Sequence, residues 1–159
     1  MRSNLKIEGK ALDGIDAKLV TLLNDNARMS IAELGRAVNM SAPSVNERLK
    51  RLEEAGIISA YTVTLDPEQI GYTLQAIVRM RQLPGKLKEL EELIQSIPQF
   101  IECDRVTGED CFYARLCLTD IHQLDEILNR VCEIAETNTS IVKSTPVKRR
   151  QVPLLLGGS

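Results

Sequence analysis

At 159 residues the chain has room for one medium domain or two small ones. Its 43% apolar and 26% charged residues are those of an ordinary soluble globule and exclude a disordered polymer. No apolar run approaches the ~20 residues that span a bilayer, and the net charge of −2 argues by itself against a nucleic-acid binder.

The opening MRSNLKIEGK lacks the apolar core of a signal peptide, so the expected location is the cytoplasm. Charge is divided unevenly. Residues 1–65 carry nine basic and eight acidic groups, and the remainder eleven and fourteen. Any polyanion-binding half is therefore the first. Four cysteines (Cys103, Cys111, Cys117, Cys132) form no Cys-x-x-Cys pair and read as small buried hydrophobes rather than metal ligands or bridges.

The first half predicts three helices. Asp13-Gly-Ile-Asp16 offers a carboxylate cap, followed by Ile15, Leu19 and Leu22 at helical spacing. Ser30-Ile-Ala-Glu33 is a capping box, Ile31, Leu34 and Val38 line one face, and Asn39 suits a left-handed close. Ser41 caps the third helix, with Pro43 in the first turn, where a missing N–H costs nothing.

At 100° per residue, Val45, Leu49 and Leu52 of that helix share a buried stripe. Pro43, Glu47, Lys50 and Glu54 lie opposite, flanked by Ser44, Asn46 and Arg51, and Gly56 ends the run. ISAYTVTLD then alternates in strand fashion, predicting one or two short strands. Two helices joined by a tight turn and followed by a β element make a winged helix-turn-helix. Such a recognition helix offers its N-terminal residues to base edges in the major groove, with Lys and Arg further along for phosphates or guanine. A solvated face on a three-helix bundle is the plainer alternative, because the helix is charge-balanced.

DPEQIGY, residues 66–72, is a connector of turn formers. The pattern then predicts a strand at LQAIVRMR (74–81) and a helix after Pro84-Gly85 with Leu87, Leu90, Ile94 and Ile97 inward. FIECDRV and CFYARLCLT pair around a turn at Thr107-Gly-Glu-Asp110. Asp120 caps a helix with Ile121, Leu124, Leu128 and Val131 on its face, and TSIVKSTPVKRR forms the last strand, where Pro146 implies an edge or bulge. The order β-α-β-β-α-β is ferredoxin-like, giving an α+β protein. Its sheet leaves one face needing cover, which a second subunit commonly supplies. The apolar tail VPLLL is expected to dock on that sheet or on a neighbour.

These features together resemble the Lrp/AsnC family of feast/famine regulators. LDGIDAKLVTLLNDNARMSIAELGRAVNMS is similar to the family's opening helices, RLKRLEEAGIISAYTVTLDPEQIGY to its recognition-helix end, wing and hinge, and VTGEDCFYARL to its Thr-Gly-x-x-Asp turn and following strand. The resemblance implies a DNA-binding domain at 1–65, a hinge at 66–73, a ligand-sensing RAM domain at 74–151 and a tail at 152–159. It further implies homodimers, often built into octamers of four dimers, and a bacterial or archaeal cytoplasmic regulator working on double-stranded DNA. An amino-acid effector would bind between RAM domains, with no cofactor or metal.

Carried onto this chain, the DNA-binding residues are Ser41, Pro43, Ser44, Asn46, Glu47, Arg48, Lys50 and Arg51. The effector-binding residues are Gly108, Glu109 and Asp110, faced by Thr137, Thr139 and Ser140. Asp110 suits an ammonium group, with hydroxyls and backbone N–H groups for the carboxylate.

Three other readings compete. An enzyme would lack a base, because the lone His122 sits in the first turn of a helix and no phosphate-binding Gly-rich motif is present. A thiol- or metal-responsive regulator would use Cys103, Cys111 and Cys117, the last two sharing one strand face. An architectural DNA-binding protein without effector shares every feature above.

Overall fold

The computed structural model describes residues 12–156. The opening MRSNLKIEGK, read above as lacking a leader's core, and the last three residues of the tail lie outside this range. The chain forms two compact units. One comprises the chain up to Thr64 together with the chain from Arg149 on, and the other is Leu65–Lys148.

The first unit holds three helices, α1 (Gly14–Asp25), α2 (Ile31–Val38) and α3 (Ala42–Glu54). Each starts at a side-chain cap. Asp13 accepts the Asp16 N–H at 2.7 Å, Ser30 and Glu33 exchange both bonds of the capping box, and Ser41 accepts the Ser44 N–H at 3.4 Å. Asn39 closes α2 in the left-handed region at φ 57°, as its short polar side chain allows. Leu19, Leu34, Val45, Leu49 and Leu52 make the core. In α1 the buried stripe runs through Leu19 and Leu23, whereas Ile15 and Leu22 are only half-buried at its margin.

The expected wing strands at ISAYTVTLD do not form. The segment has neither regular structure nor a ladder partner among the described residues, and Tyr61 and Val63 are exposed. A strand needs a neighbour to take its N–H and C=O groups, and the described residues of this unit supply none.

The tail also departs from expectation. It docks on the first unit rather than on the sheet: Leu154 packs against the three-helix core, and Leu156 forms a parallel bridge with Leu12. A helical unit this small has little apolar area of its own to bury, which favours any added apolar segment.

The second unit runs β1 (Leu74–Gln82), α4 (Leu87–Ser96), β2 (Phe100–Arg105), β3 (Phe112–Leu118), α5 (Ile121–Cys132), β4 (Ala135–Ile141), after a single 3₁₀ turn at Glu68–Ile70. The strands lie antiparallel in the order β2-β3-β1-β4, which is the ferredoxin-like arrangement. Ala76, Val78 and Met80 of β1 and Phe112, Ala114, Leu116 and Leu118 of β3 face α4 and α5, meeting Leu90, Ile94, Leu124, Ile127 and Val131. The opposite sheet face carries Gln75, Ile77, Arg79 and Arg81 beside Tyr113, Arg115 and Cys117.

Three expectations are corrected here. The buried face of α5 is Leu124, Ile127 and Val131, with Leu128 half-buried and Ile121 exposed, because Asp120 caps the helix so that Ile121 falls at its outer start. The last strand begins at Ala135 and ends at Ile141, so Pro146 lies beyond the ladder and interrupts nothing. Cys111 and Cys117 do not share a face: Cys111 precedes β3 and packs on the helix-side core, while Cys117 pairs with Gln75 on the other side.

Candidate nucleic-acid interface and ligand site

In α3 the 3.6-residue period separates two chemistries. Val45, Leu49 and Leu52 are buried at 0%, 6% and 1% exposure. Ser41, Pro43, Asn46, Glu47, Lys50 and Arg51 are exposed, and Ser44 and Arg48 are half-buried. A shallow depression of about 500 Å³ runs along this outer side between Met40, Ser44, Glu47, Lys50 and Glu54. A helix ~10–12 Å across fits a major groove ~12 Å wide.

The turn between α2 and α3 depends on Gly35, whose role the sequence reading missed. A Cβ there would lie 2.7 Å from the Met40 carbonyl oxygen, and Met40 N–H donates back to the Gly35 carbonyl at 2.9 Å. The close approach of these two backbones sets the helix-turn-helix.

The cations of α3 are not free. Arg48 donates to Asp13 and to Asp16, both at 2.7 Å, and Arg51 donates to Asp16 at 2.8 Å. Asp16 is itself buried, with 6% exposure. The Arg48 guanidinium and the Asp16 N–H hold the Asp13 carboxyl below its ordinary range, and the two carboxylates in turn raise Arg48. Lys50 stands 3.7 Å from Glu54 one turn on. Tyr61 donates to Glu53 at 2.8 Å. Near the helix start, the Ser41 and Ser44 hydroxyls are joined at 2.8 Å.

In the second unit the proposed effector residues divide between the two sheet faces. Thr137 and Thr139 are opposite Met80 and Val78 and so turn to the helix side, where Thr137 Oγ1 meets Cys132 Sγ at 3.6 Å. Ser140 pairs with Ile77 on the open side. The turn at Gly108, Glu109 and Asp110 leads into Phe112, whose row crosses β1 at Met80 and reaches Thr137 on β4. Two strand spacings separate them, about 10 Å.

Asp110 is already partnered, by Arg79 at 3.4 Å, and Arg81 pairs with Glu136. The sequence pattern marks these arginines only as strand residues. Alternation of β1 puts both on the open face beside the turn, which gives this end of the sheet handles of both charges.

Burial pushes the thiols of Cys103 and Cys117 up, while Cys111 donates weakly to the Gly108 and Glu109 carbonyls. His122 stands at the start of α5, where its backbone N–H is capped by Asp120 at 2.8 Å. No helix among the described residues is long and apolar enough to cross a membrane.

A capped helix-turn-helix with an outward polar flank, joined in one chain to a ferredoxin-like sheet, defines the two-unit class of DNA-binding regulators with a sensing domain. The chain belongs to the Lrp/AsnC family. Residues 12–53 match the AsnC-type helix-turn-helix domain and residues 75–152 the Lrp/AsnC ligand binding domain.

The transcriptional regulator LrpC of Bacillus subtilis is 30% identical over 133 residues, spanning 84% of this chain and 92% of LrpC. Its structure superposes with a TM-score of 0.82 over 87% of this chain and 99% of that one, at 29% identity. The regulator Ptr1 of Methanocaldococcus jannaschii is 35% identical over 74% of this chain and 79% of its own. A Neisseria meningitidis transcriptional regulator solved as its L-Met complex matches at 26% identity and a TM-score of 0.81, over 89% of this chain and 96% of that one.

Proposed function

We propose that the protein is a cytoplasmic, sequence-specific DNA-binding transcriptional regulator that responds to an amino acid or a closely related metabolite. The observation that carries this is the two-sided α3. Its apolar stripe is spent on the core of its own unit, and Ser41, Pro43, Ser44, Asn46, Glu47 and Lys50 are left to the outside at a capped N-terminus. Small residues at the start allow close approach to the groove floor. Asn46, Glu47 and Lys50 have the hydrogen-bonding groups that distinguish base edges.

A homodimer fits the remaining surfaces. The open sheet face carries Ile77 and Tyr113 among its charges, and Tyr61, Val63 and Leu65 are exposed in the segment that follows the three helices. A two-fold pair of such chains presents two α3 helices to successive turns of one duplex face. Assembly of dimers into an octamer is the further step.

The effector reading rests on the charged end of the sheet. An α-amino acid needs a cation for its carboxylate and an anion for its ammonium, and Arg79, Arg81, Glu109, Asp110 and Glu136 supply both. Gly108 lets the chain turn there at φ 123°, a region that strains other residues. Of the three β4 residues, only Ser140 adds a hydroxyl on that face, since Thr137 and Thr139 turn to the helix side. The protein acts by binding and not by catalysis, with no cofactor or metal.

Selection of duplexes from a random pool by the full chain tests the reading. Enrichment of a near-palindrome with half-sites about one or two helical turns apart is expected. A pool that stays random after repeated rounds contradicts it.

A further inference from the structure

We propose that Asp16 is a specificity-determining residue: by holding Arg48 and Arg51 on α1 it keeps two recognition-helix charges off the DNA phosphates. The proposal rests on the DNA-binding reading above and concerns how that surface rejects the wrong duplex.

Asp16 Oδ1 accepts from Arg48 Nη1 at 2.7 Å and Oδ2 from Arg51 Nη2 at 2.8 Å, so one carboxylate bridges two guanidinium groups on adjacent turns of α3. The carboxylate is 8% exposed, against 22% for the Arg48 side chain and 60% for Arg51. Asp13 takes a second bond from Arg48 at 2.7 Å. An arginine keeps its charge at every accessible pH, so only its partner decides whether that charge is available to a phosphate.

Gluing α1 to α3 would be served as well by one ion pair, or by apolar packing of the same volume. What the carboxylate adds is the neutralisation of charge on the flank that faces DNA. Non-specific affinity comes almost wholly from phosphate contacts, whereas base contacts carry discrimination. Removing two phosphate-seeking charges therefore lowers binding to random duplex more than binding to the operator. The net charge of −2 on the whole chain acts in the same direction.

The test measures affinity of the full chain for random-sequence duplex and for its selected operator across a salt series. Asp16→Asn keeps the shape and one acceptor but gives up the charge. It is expected to raise random-duplex affinity by about tenfold or more at low salt. It should also steepen the fall of log affinity with log salt by about one, near 0.9 for the one phosphate gained by Arg51, because Asp13 still holds Arg48. The ratio of operator to random affinity drops accordingly. An unchanged salt slope in a folded Asp16→Asn protein overturns the proposal.

Arg51→Gln, at an exposed position, supplies an arm that does not depend on Asp16→Asn folding. The random-duplex slope should stay that of the wild type, because Arg51 is already committed. A slope shallower by about one means that Arg51 touches phosphate in the native protein, and the proposal fails. Absence of any duplex binding by the wild type overturns the DNA-binding reading itself, a result distinct from either slope.

Discussion

Gly35 in α2 and Met40 in the turn approach so closely that a methyl group on Gly35 would sit 2.7 Å from the Met40 carbonyl oxygen. The obstacle is backbone, which cannot swing aside as a side chain would. Alanine gains up to about 1 kcal/mol over glycine inside a helix. Overpacking of a closed turn costs more, about 1–3 kcal/mol. Gly35→Ala is therefore expected to be net destabilising and to loosen the angle between α2 and α3. Urea unfolding followed by helical circular dichroism measures the first effect. A stability equal to or above that of the wild type would show that the turn can yield.

The docked tail gives a second expectation. Leu154 packs on the three-helix core, whereas Val152 is 75% exposed. Leu154→Asp should destabilise the helix-turn-helix unit by about 1–2 kcal/mol, less than for a fully buried leucine. Val152→Asp should be neutral. Amide hydrogen exchange in α1 reads the difference, with faster exchange expected only for the Leu154 variant.

VPLLL is apolar enough to dock, but nothing in its pattern says against what. Local signals fared better. The Ser30–Glu33 capping box, the Asn39 close and the Val45/Leu49/Leu52 stripe depend on residues a turn apart, and all three are present. What escaped were pairings across long stretches of chain: Asp16 with Arg51, and Asp110 with Arg79. The sequence pattern starts the last strand at Thr139, later than β4 does, since Glu136, Thr137 and Asn138 on an edge strand look like loop. Alternation at ISAYTVTLD predicts wing strands, but alternation does not supply a pairing partner.

Acid should weaken the first unit through Asp13. The Arg48 guanidinium and the Asp16 N–H lower its folded pKa below the ordinary 3.8. The contribution is thus complete above that ordinary value and lost as pH falls through the lowered one. Melting temperature followed from about pH 6 to about pH 2 should drop less in Asp13→Asn than in the wild type, from a lower starting point. Because Asp13 is half exposed the effect is modest. Parallel curves would remove Asp13 from the acid response.

For the effector site, thermal-shift screening against the twenty amino acids, coupled to light scattering, is the direct assay. A ligand at a hundred times its Kd stabilises the folded state by about 2.7 kcal/mol. Asp110→Asn and Arg79→Met should each abolish the shift and leave the unliganded protein folded. No shift with any amino acid favours the architectural reading over the sensor.

The central claim is that the outward flank of α3 reads a duplex. Its most direct test is titration of the selected operator with wild-type and Lys50→Ala protein, with assembly size measured on the same samples. Lys50 is exposed, and its only ion pair among the described residues is the 3.7 Å contact with Glu54, so its removal should leave fold and assembly intact. A lost base contact costs about 1–3 kcal/mol, a weakening of roughly five- to 150-fold. Operator affinity unchanged by Lys50→Ala, together with footprints that persist when Asn46 and Glu47 are also replaced by alanine, would contradict the account.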